Sequence, residues 1–223
     1  RYLGGSRISS WKFFERLKRQ AGKSVLMQTR IKKNKNIGLF FGSFNPIHVG
    51  HLIIANHMAQ QDLIDEVWLV VSPHNPHKKK DSLLSDLNRF YMVNLAIEDN
   101  QKLRASNIEF KLPQPSYTVD TLTYIQERYP EFHFSIIMGE DNMRSFHKWK
   151  NYEDIISNYN VFVYPRNLTD QEAKERPIEN HFLEHEKFHF VDIPVMKIEA
   201  SHIRNLIKEG KDTRYLLTEP VAK

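Results

Sequence analysis

An α/β fold built on a doubly wound parallel sheet is what this sequence predicts, on three observations. From Ile37 onward, short apolar runs alternate with stretches of helical periodicity, an order that lays strands side by side with helices on both faces. Each run is brief and bounded by Gly, Pro or Ser, as buried strands are. The segments richest in functional side chains follow directly after strands, where sites in open α/β sheets form.

Taken in order, strands are expected at Ile37–Phe41, Val67–Val71, His133–Met138 and Val161–Tyr164, with a late one near His189–Ile193 before Pro194. Helices are expected at His51–Gln61, Asp86–Asp99 and Thr118–Tyr129, and a last one at Ser201–Glu209 with Gly210 as its stop. In the second of these helices Leu87, Phe90, Tyr91 and Leu95 recur at helical spacing. No internal repeat interrupts the pattern.

Size and composition bound the function. The 223 residues suit one α/β domain with a tail and are ample for a buried core. At 40% hydrophobic and 26% charged, the chain reads as an ordinary soluble protein. The absence of cysteine excludes disulfides, thiolate chemistry and Cys-based metal sites. No run approaches 18 apolar residues, so no membrane span is expected. The expected location is cytoplasmic.

The net charge of +5 is unevenly spread. Of the 32 Lys/Arg and 27 Asp/Glu, residues 1–36 hold 11 and one (Glu15), leaving 21 against 26 for residues 37–223. Residues 1–36 therefore read as a basic N-terminal extension on a domain spanning 37–223. Such an arm can touch nucleic acid or anionic lipid, but the favoured reading is a solvated extension or translated leader. Met27, the first methionine, is a candidate natural start, and the apolar stretch around Trp11–Phe14 is too short for a secretory signal.

The segment after the first strand is the most informative. Gly42-Ser43-Phe44 leaves the strand, Asn45-Pro46 turns, and a helix opens near Gly50. Gly42 lets backbone approach a ligand closely. The helix start offers unpaired N–H groups and a positive dipole end, which together suit phosphate. His48 and His51, three residues apart, can face one ligand, and two imidazoles beside a polyphosphate can donate hydrogen bonds as charge builds on phosphorus. A metal role ranks low, since no third ligand or carboxylate stands nearby in sequence. Residues 42–51 resemble the GxFxPxHxGH signature of the nucleotidylyltransferase superfamily, whose HxGH motif binds ATP phosphates. The resemblance implies a Rossmann-like sheet of nucleotidylyltransferase type. Neither GxxxxGK[ST] nor GxGxxG occurs in the chain.

A second segment, Ile198-Glu-Ala-Ser-His-Ile-Arg204, is similar to that superfamily's ISSTxIR motif, with Glu199 and Ala200 replacing the two serines and Ser201 in the Thr position. Ser201 is also a good candidate for a helix N-cap, with Ile203, Leu206 and Ile207 as the buried face. Three middle segments bear on the acceptor: Ser72-Pro-His-Asn-Pro-His-Lys78, Pro115-Ser-Tyr-Thr118 and Gly139-Glu-Asp-Asn-Met-Arg-Ser-Phe-His-Lys-Trp149. Ser116 or Thr118 suits a helix cap, and Asp141 suits a ribose hydroxyl or helix amides. Together these segments resemble the nicotinate-nucleotide adenylyltransferase family, with its PxxxPHK flap, SYT-x-x-TL helix and GxDxxxxxxxW segment. The likeness runs from Ile37 to about Ala222, and Asp212–Val221 agrees with the family's terminal pattern.

The resemblance implies transfer of AMP from ATP to nicotinate mononucleotide, giving deamido-NAD and pyrophosphate. His48, His51 and Arg204 would be catalytic. Gly42, Ser43, Phe44, Gly50, Lys78, Asp141, Ser201 and Ile203 would join them around ATP. Thr118, Ser145, Phe146, Trp149 and His77 would meet the acceptor, with backbone amides at Ser145–Phe146 and Thr118 on the nicotinate carboxylate and Trp149 near the ring. Mg²⁺ would travel with ATP, without a protein cage of its own. Alternatives are a sister enzyme using nicotinamide mononucleotide or phosphopantetheine, and a nucleotide-sensing regulator that contacts nucleic acid through residues 1–36. An oligomer is left open.

Overall fold

Alternate residues of the central strands enter opposite cores, which is why the strands read as continuous apolar runs. Ile37 and Leu39 of β1 (Asn36–Gly42) pack on one side of the sheet and Phe40 on the other. Trp68 and Val70 of β2 (Glu66–Val71) oppose Val67, Leu69 and Val71, and Ile136 and Met138 of β4 (His133–Gly139) oppose Ile137. Side chains of a strand alternate faces, so a sheet covered on both sides needs apolar residues at every position. With β3 (Leu103–Ser106), β5 (Asn160–Tyr164) and β6 (Phe188–Phe190), these form one six-stranded parallel sheet in the order β3-β2-β1-β4-β5-β6.

The computed structural model describes residues 34–73, 83–167, 169–175 and 177–223. The chain divides into two units, Arg1–Asn34 and Lys35–Lys223. The expectation for residues 1–33 of the basic arm, and those for His77 and Lys78, lie outside the described residues. Among those described, no helix is long and apolar enough to cross a membrane.

The helices are α1 (Val49–Met58), α2 (Asp86–Ala96), α3 (Thr118–Arg128), α4 (Glu140–Met143), α5 (Tyr152–Asn158), α6 (Asp170–Glu175), α7 (Asn180–Leu183), α8 (Ala200–Lys208) and α9 (Glu219–Ala222), with 3-10 turns at Ile108–Lys111 and Phe146–Lys148. Helix α8 ends as Gly210 predicts. Its φ is +65°, the Gly210 N–H donates to Ile207 O and that of Lys211 to Leu206 O, the paired bonds of a Schellman stop.

One strand was not foreseen and three expectations need correction. β3 has no apolar run, because it is a four-residue edge strand paired, among the described residues, with β2 alone; the Arg104 guanidinium lies 4.7 Å over the Trp68 ring. The late strand is Phe188–Phe190 rather than 189–193, although the Val191 N–H still donates to Val163 O at 2.9 Å. Helix α2 stops at Ala96 and buries Arg89, Val93 and Ala96, while Leu87 and Tyr91 are 70% and 57% exposed. The N-caps of α3 and α8 are Tyr117 and Glu199, so neither Ser116 nor Ser201 caps, and Thr118 is the first residue of its helix.

The sheet order reverses between β1 and β4, which both leave the sheet on the same side. A crevice opens at such a switch point, and the cavity described next lies there.

Candidate active site

The loop from Gly42 to His48 is held from several directions. The Ser72 N–H donates to Gly42 O at 2.9 Å, and the Leu84 N–H donates to Asn45 Oδ1 at 3.2 Å. Arg204 Nη1 donates to Asn45 O at 2.8 Å, and Arg89 Nη1 donates to Ser43 O. At the helix start, the Val49 N–H donates to Leu216 O at 3.0 Å. Phe44 sits at φ +44° with its ring buried, a conformation a bulky residue holds only when its surroundings impose it. A Cβ on Gly42 would stand 2.8 Å from the Phe44 ring, so glycine is what lets the loop fold back on itself.

His48 and His51 stack at the N-terminus of α1, with ring centroids 3.7 Å apart and planes 23° apart. The His48 backbone N–H donates to His51 Nδ1 at 3.3 Å. That bond makes Nδ1 the acceptor, which leaves the His51 proton on Nε2 in the neutral ring. His48 is 5% exposed, and its Nδ1 has no partner among the described residues. Burial first, and the Arg166 charge second, lower its pKa from 6.5 to about 4. At neutral pH His48 is therefore an uncharged hydrogen-bonding group. Gly50 leaves room for the ring, since a Cβ there would stand 3.1 Å from His48 Nδ1.

Beside this loop lies a cavity of about 300 Å³. Gly42 and Ser43 form one wall, and Thr118, Ser145 and Trp149 stand on the other. The crevice between β1 and β4 thus brings Gly42 and Ser43 of the expected ATP residues onto one cavity with Thr118, Ser145 and Trp149 of the expected acceptor residues. His48, His51, Ser201 and Arg204 do not line this cavity; His48 and His51 stand at the start of α1, and Arg204 reaches the loop from α8. Ser201 is exposed and its hydroxyl donates to Glu199 Oε2 at 3.0 Å. Ile203, expected near ATP, has a fully buried side chain and an N–H that donates to Glu199 O at 3.2 Å, so it anchors α8 instead.

The acceptor wall departs from expectation in one detail. The Ser145 N–H and Oγ both donate to Asn142 O, at 3.0 and 3.1 Å, so this amide is consumed by its own turn. The Phe146 side chain is fully buried against Phe182 and Phe188, and Phe146 does not line the cavity. Trp149 is half-buried, with its ring 5.1 Å from that of Phe146. Asp141 faces Arg166 at 3.6 Å. A Cβ on Gly139 would stand 2.4 Å from Asp141 Oδ1, so glycine admits that carboxylate at the end of β4.

Four groups escaped the sequence reading. Arg166 follows β5 directly, and the rule that sites lie beyond strand ends is the signal that could have found it. Glu109 sits on the cavity wall, 3% exposed, accepting from Thr121 Oγ1 at 2.8 Å, with Oε2 unpartnered. Burial raises its pKa, against nearby hydroxyls of Ser72, Thr121 and Ser116. Lys148 and Lys150 flank Trp149 on the same cavity. Lys150 Nζ pairs with Asp120 at 3.0 Å and lies 4.9 Å over the Tyr117 ring, bridging the two sides of the cavity mouth.

The chain is similar to several known proteins. The family described as cytidylyltransferase-like matches residues 39–206. A Flavobacterium psychrophilum protein called "Probable nicotinate-nucleotide adenylyltransferase" is 54% identical over 84% of this chain and 94% of its own. One of the same name from Flavobacterium johnsoniae is 53% identical over 83% and 93%. The structure of Plasmodium falciparum nicotinic acid mononucleotide adenylyltransferase complexed with NaAD shares the fold, with a TM-score of 0.66 at 20% identity over 85% of this chain and 93% of that one. With its loop, its switch-point cavity and these relatives, the chain belongs to the cytidylyltransferase-like family and, within it, to the nicotinate-nucleotide adenylyltransferases.

Proposed function

We propose that this protein transfers the adenylyl group of ATP to the 5′-phosphate of nicotinate mononucleotide, releasing pyrophosphate. The observation that carries the reading is the shared cavity at the β1/β4 switch point, where the phosphate loop and the Thr118–Trp149 wall face one space. An acceptor phosphate and an ATP α-phosphate can meet only where both walls are within reach.

The reaction is an in-line displacement. A phosphate oxygen of the mononucleotide forms a bond to the α-phosphorus, the bond from that phosphorus to the α,β-bridging oxygen breaks, and the electron pair leaves with pyrophosphate. Among the described residues no side chain is placed as a nucleophile, so catalysis comes from positioning and charge stabilisation. His48, neutral, and His51, with its proton on Nε2, donate to phosphate oxygens as charge moves to the leaving group. The Gly42–Phe44 backbone and the first amides of α8 serve the same anion, with Arg204 holding the loop from α8. Asp141, beyond β4, is assigned to a ribose hydroxyl of ATP. Among the described residues no cluster of three His, Cys, Asp or Glu gathers to hold a metal, and a Mg²⁺ ion held by phosphate oxygens and water asks for none. When bound with ATP it supplies neutralising charge.

Trp149 offers a ring face to the pyridine, worth about 0.5–1.5 kcal/mol beyond burial. Lys148 and Lys150 put positive charge beside it, which favours a carboxylate on that ring over an amide. Pyrophosphate release from ATP and Mg²⁺, measured with nicotinate and nicotinamide mononucleotide in parallel, tests the reading. Turnover favouring the acid is expected. Equal or amide-favouring turnover would overturn the acceptor assignment, and none with either would overturn the reaction.

A further inference from the structure

Arg89 touches nothing in the cavity, yet every N–H of its guanidinium is spoken for. It is fully buried on α2. Nε donates to Leu84 O at 3.1 Å, and Nη1 donates to Ser43 O and to Ser72 O, the latter at 2.9 Å. Nη2 donates to Pro73 O at 3.2 Å and to Asp86 Oδ1 at 2.6 Å. A guanidinium has five N–H donors in a rigid fork, and all five are matched here. Four go to backbone carbonyls, and Ser43 and Ser72 are residues that line the cavity. From the opposite element, α8, Arg204 holds Asn45 O. Two arginines therefore grip alternate carbonyls of the Ser43–Asn45 loop.

The consequence is directional. The Ser43–Phe44 peptide is not among the cis bonds, and a trans peptide places its C=O and N–H on opposite sides. With Ser43 O fixed on Arg89, the Phe44 N–H is turned away from Arg89, and it has no partner among the described residues. The strained φ of +44° at Phe44 itself shows how closely this stretch is constrained.

We propose that Arg89 is a positioning residue for adenylyl transfer: it pins the Ser43 carbonyl so that the Phe44 amide is presented to a phosphate oxygen of ATP. The proposal rests on the reading of this loop as the ATP site. The cation is buried, but its charge is absorbed by four carbonyls and Asp86, so its work lies in geometry. Lysine keeps the charge and loses the fork. Three donors on a flexible stem cannot serve five acceptors in one plane.

The test compares Arg89→Lys with the wild-type enzyme by ATP titration calorimetry, steady-state kinetics and thermal melting. The expected result is roughly tenfold weaker ATP binding and a kcat lower by about 100-fold, with the KM for nicotinate mononucleotide within about twofold of wild type. A purely structural role would lower the melting temperature without this split between donor and acceptor constants. In Arg89→Ala, added guanidinium at millimolar concentration is expected to restore turnover several-fold. If Arg89→Lys does not fold, Asp86→Asn, at a half-exposed position that steadies Nη2, is expected to weaken ATP binding several-fold. A folded Arg89→Lys, or failing that Asp86→Asn, with ATP affinity and kcat both unchanged overturns the proposal. Wild-type protein that binds ATP but does not use nicotinate mononucleotide would sink the acceptor reading and leave the ATP affinities to decide Arg89. Wild-type protein that does not bind ATP would sink both.

Discussion

The two walls of the cavity are built on opposite principles. The donor loop is buried and held by backbone bonds: Phe44, Asn45, Ile47 and His48 are all buried, and arginines from α2 and α8 hold its carbonyls. The acceptor mouth is closed by exposed side chains, with Lys150, Asp120 and Tyr117 each more than two-fifths exposed. A triphosphate is the same in every turnover, so a wall that reads it gains from rigidity. The wall proposed to choose among ring substituents would work through charges in contact with water, where each is weak and salt-sensitive. Rate should therefore reside on the first wall and selectivity on the second.

The largest effect expected from that division is at His48. Replacing it with alanine should lower kcat by about 100- to 1,000-fold, the scale of losing one preorganised donor to a developing charge, with the KM for the acceptor little changed. Single-turnover rates at saturating ATP check this. A variant retaining full turnover would remove His48 from the chemistry and with it the claim that rate resides in this loop.

Two buried groups near the cavity also answer pH with opposite signs. His48 has a folded pKa of about 4 against 6.5 unperturbed, so between those values the unfolded chain binds the extra proton. Stability is then lost as pH falls from 6.5 towards 4, by roughly 3 kcal/mol when the shift is fully expressed. Glu109 has a raised pKa, so the folded protein binds the extra proton, and this group's contribution falls as pH rises above 4.5. Denaturant melts across pH 4–7 should show His48→Gln flattening the acid-side loss and Glu109→Gln steepening it. If both variants keep the wild-type slope, neither group has the environment assigned to it.

A smaller effect is expected at Gly50, where an added Cβ would press on His48 Nδ1 at 3.1 Å. Gly50→Ala should cost about tenfold in kcat, since a displaced ring loses alignment before it loses contact. Alanine otherwise suits this second helical position, so the melting temperature should hold. Loss of stability without loss of kcat would instead make Gly50 a packing residue.

The loop proposed to hold ATP could be singled out in the sequence because its residues are consecutive, from Gly42 to His51, and each type has a local reason to be there. The strands were legible because burial on both faces leaves no room for polar residues. Arg89 was not legible. Its partners are carbonyls of Ser43, Ser72, Pro73 and Leu84, and a carbonyl carries no side-chain signature. The same residue explains why only part of the apolar stripe on α2 turns inward: Phe90 packs on the core while Leu87 and Tyr91 are exposed, and a fully buried position of the helix holds a cation whose needs are met by the backbone. Glu109 was missed because it lies in a short 3-10 turn with no periodicity, and β3 because an edge strand with one neighbour needs no apolar run. Short-range chemistry shows in sequence; bonds from one side chain to distant backbone do not.

Lys150 should carry the smallest effect and the sharpest test of the division between walls. Its pair with Asp120 is exposed, and such pairs are worth about 0.2–1 kcal/mol. Removing the cation should therefore weaken preference for the carboxylate by only about two- to fivefold, while kcat with nicotinate mononucleotide stays near wild type. Lys150→Met keeps much of the stem over Tyr117 and removes the charge alone. The ratio of kcat/KM for nicotinate over nicotinamide mononucleotide, measured at low and high salt, reads the effect directly. In the wild-type enzyme this ratio should fall as salt rises, because salt screens an exposed charge, and in Lys150→Met it should depend on salt less. A variant with an unchanged ratio at both salt levels would mean that selectivity is set by buried donors such as the Phe146 amide, and that the acceptor wall is as rigid in its working part as the donor wall.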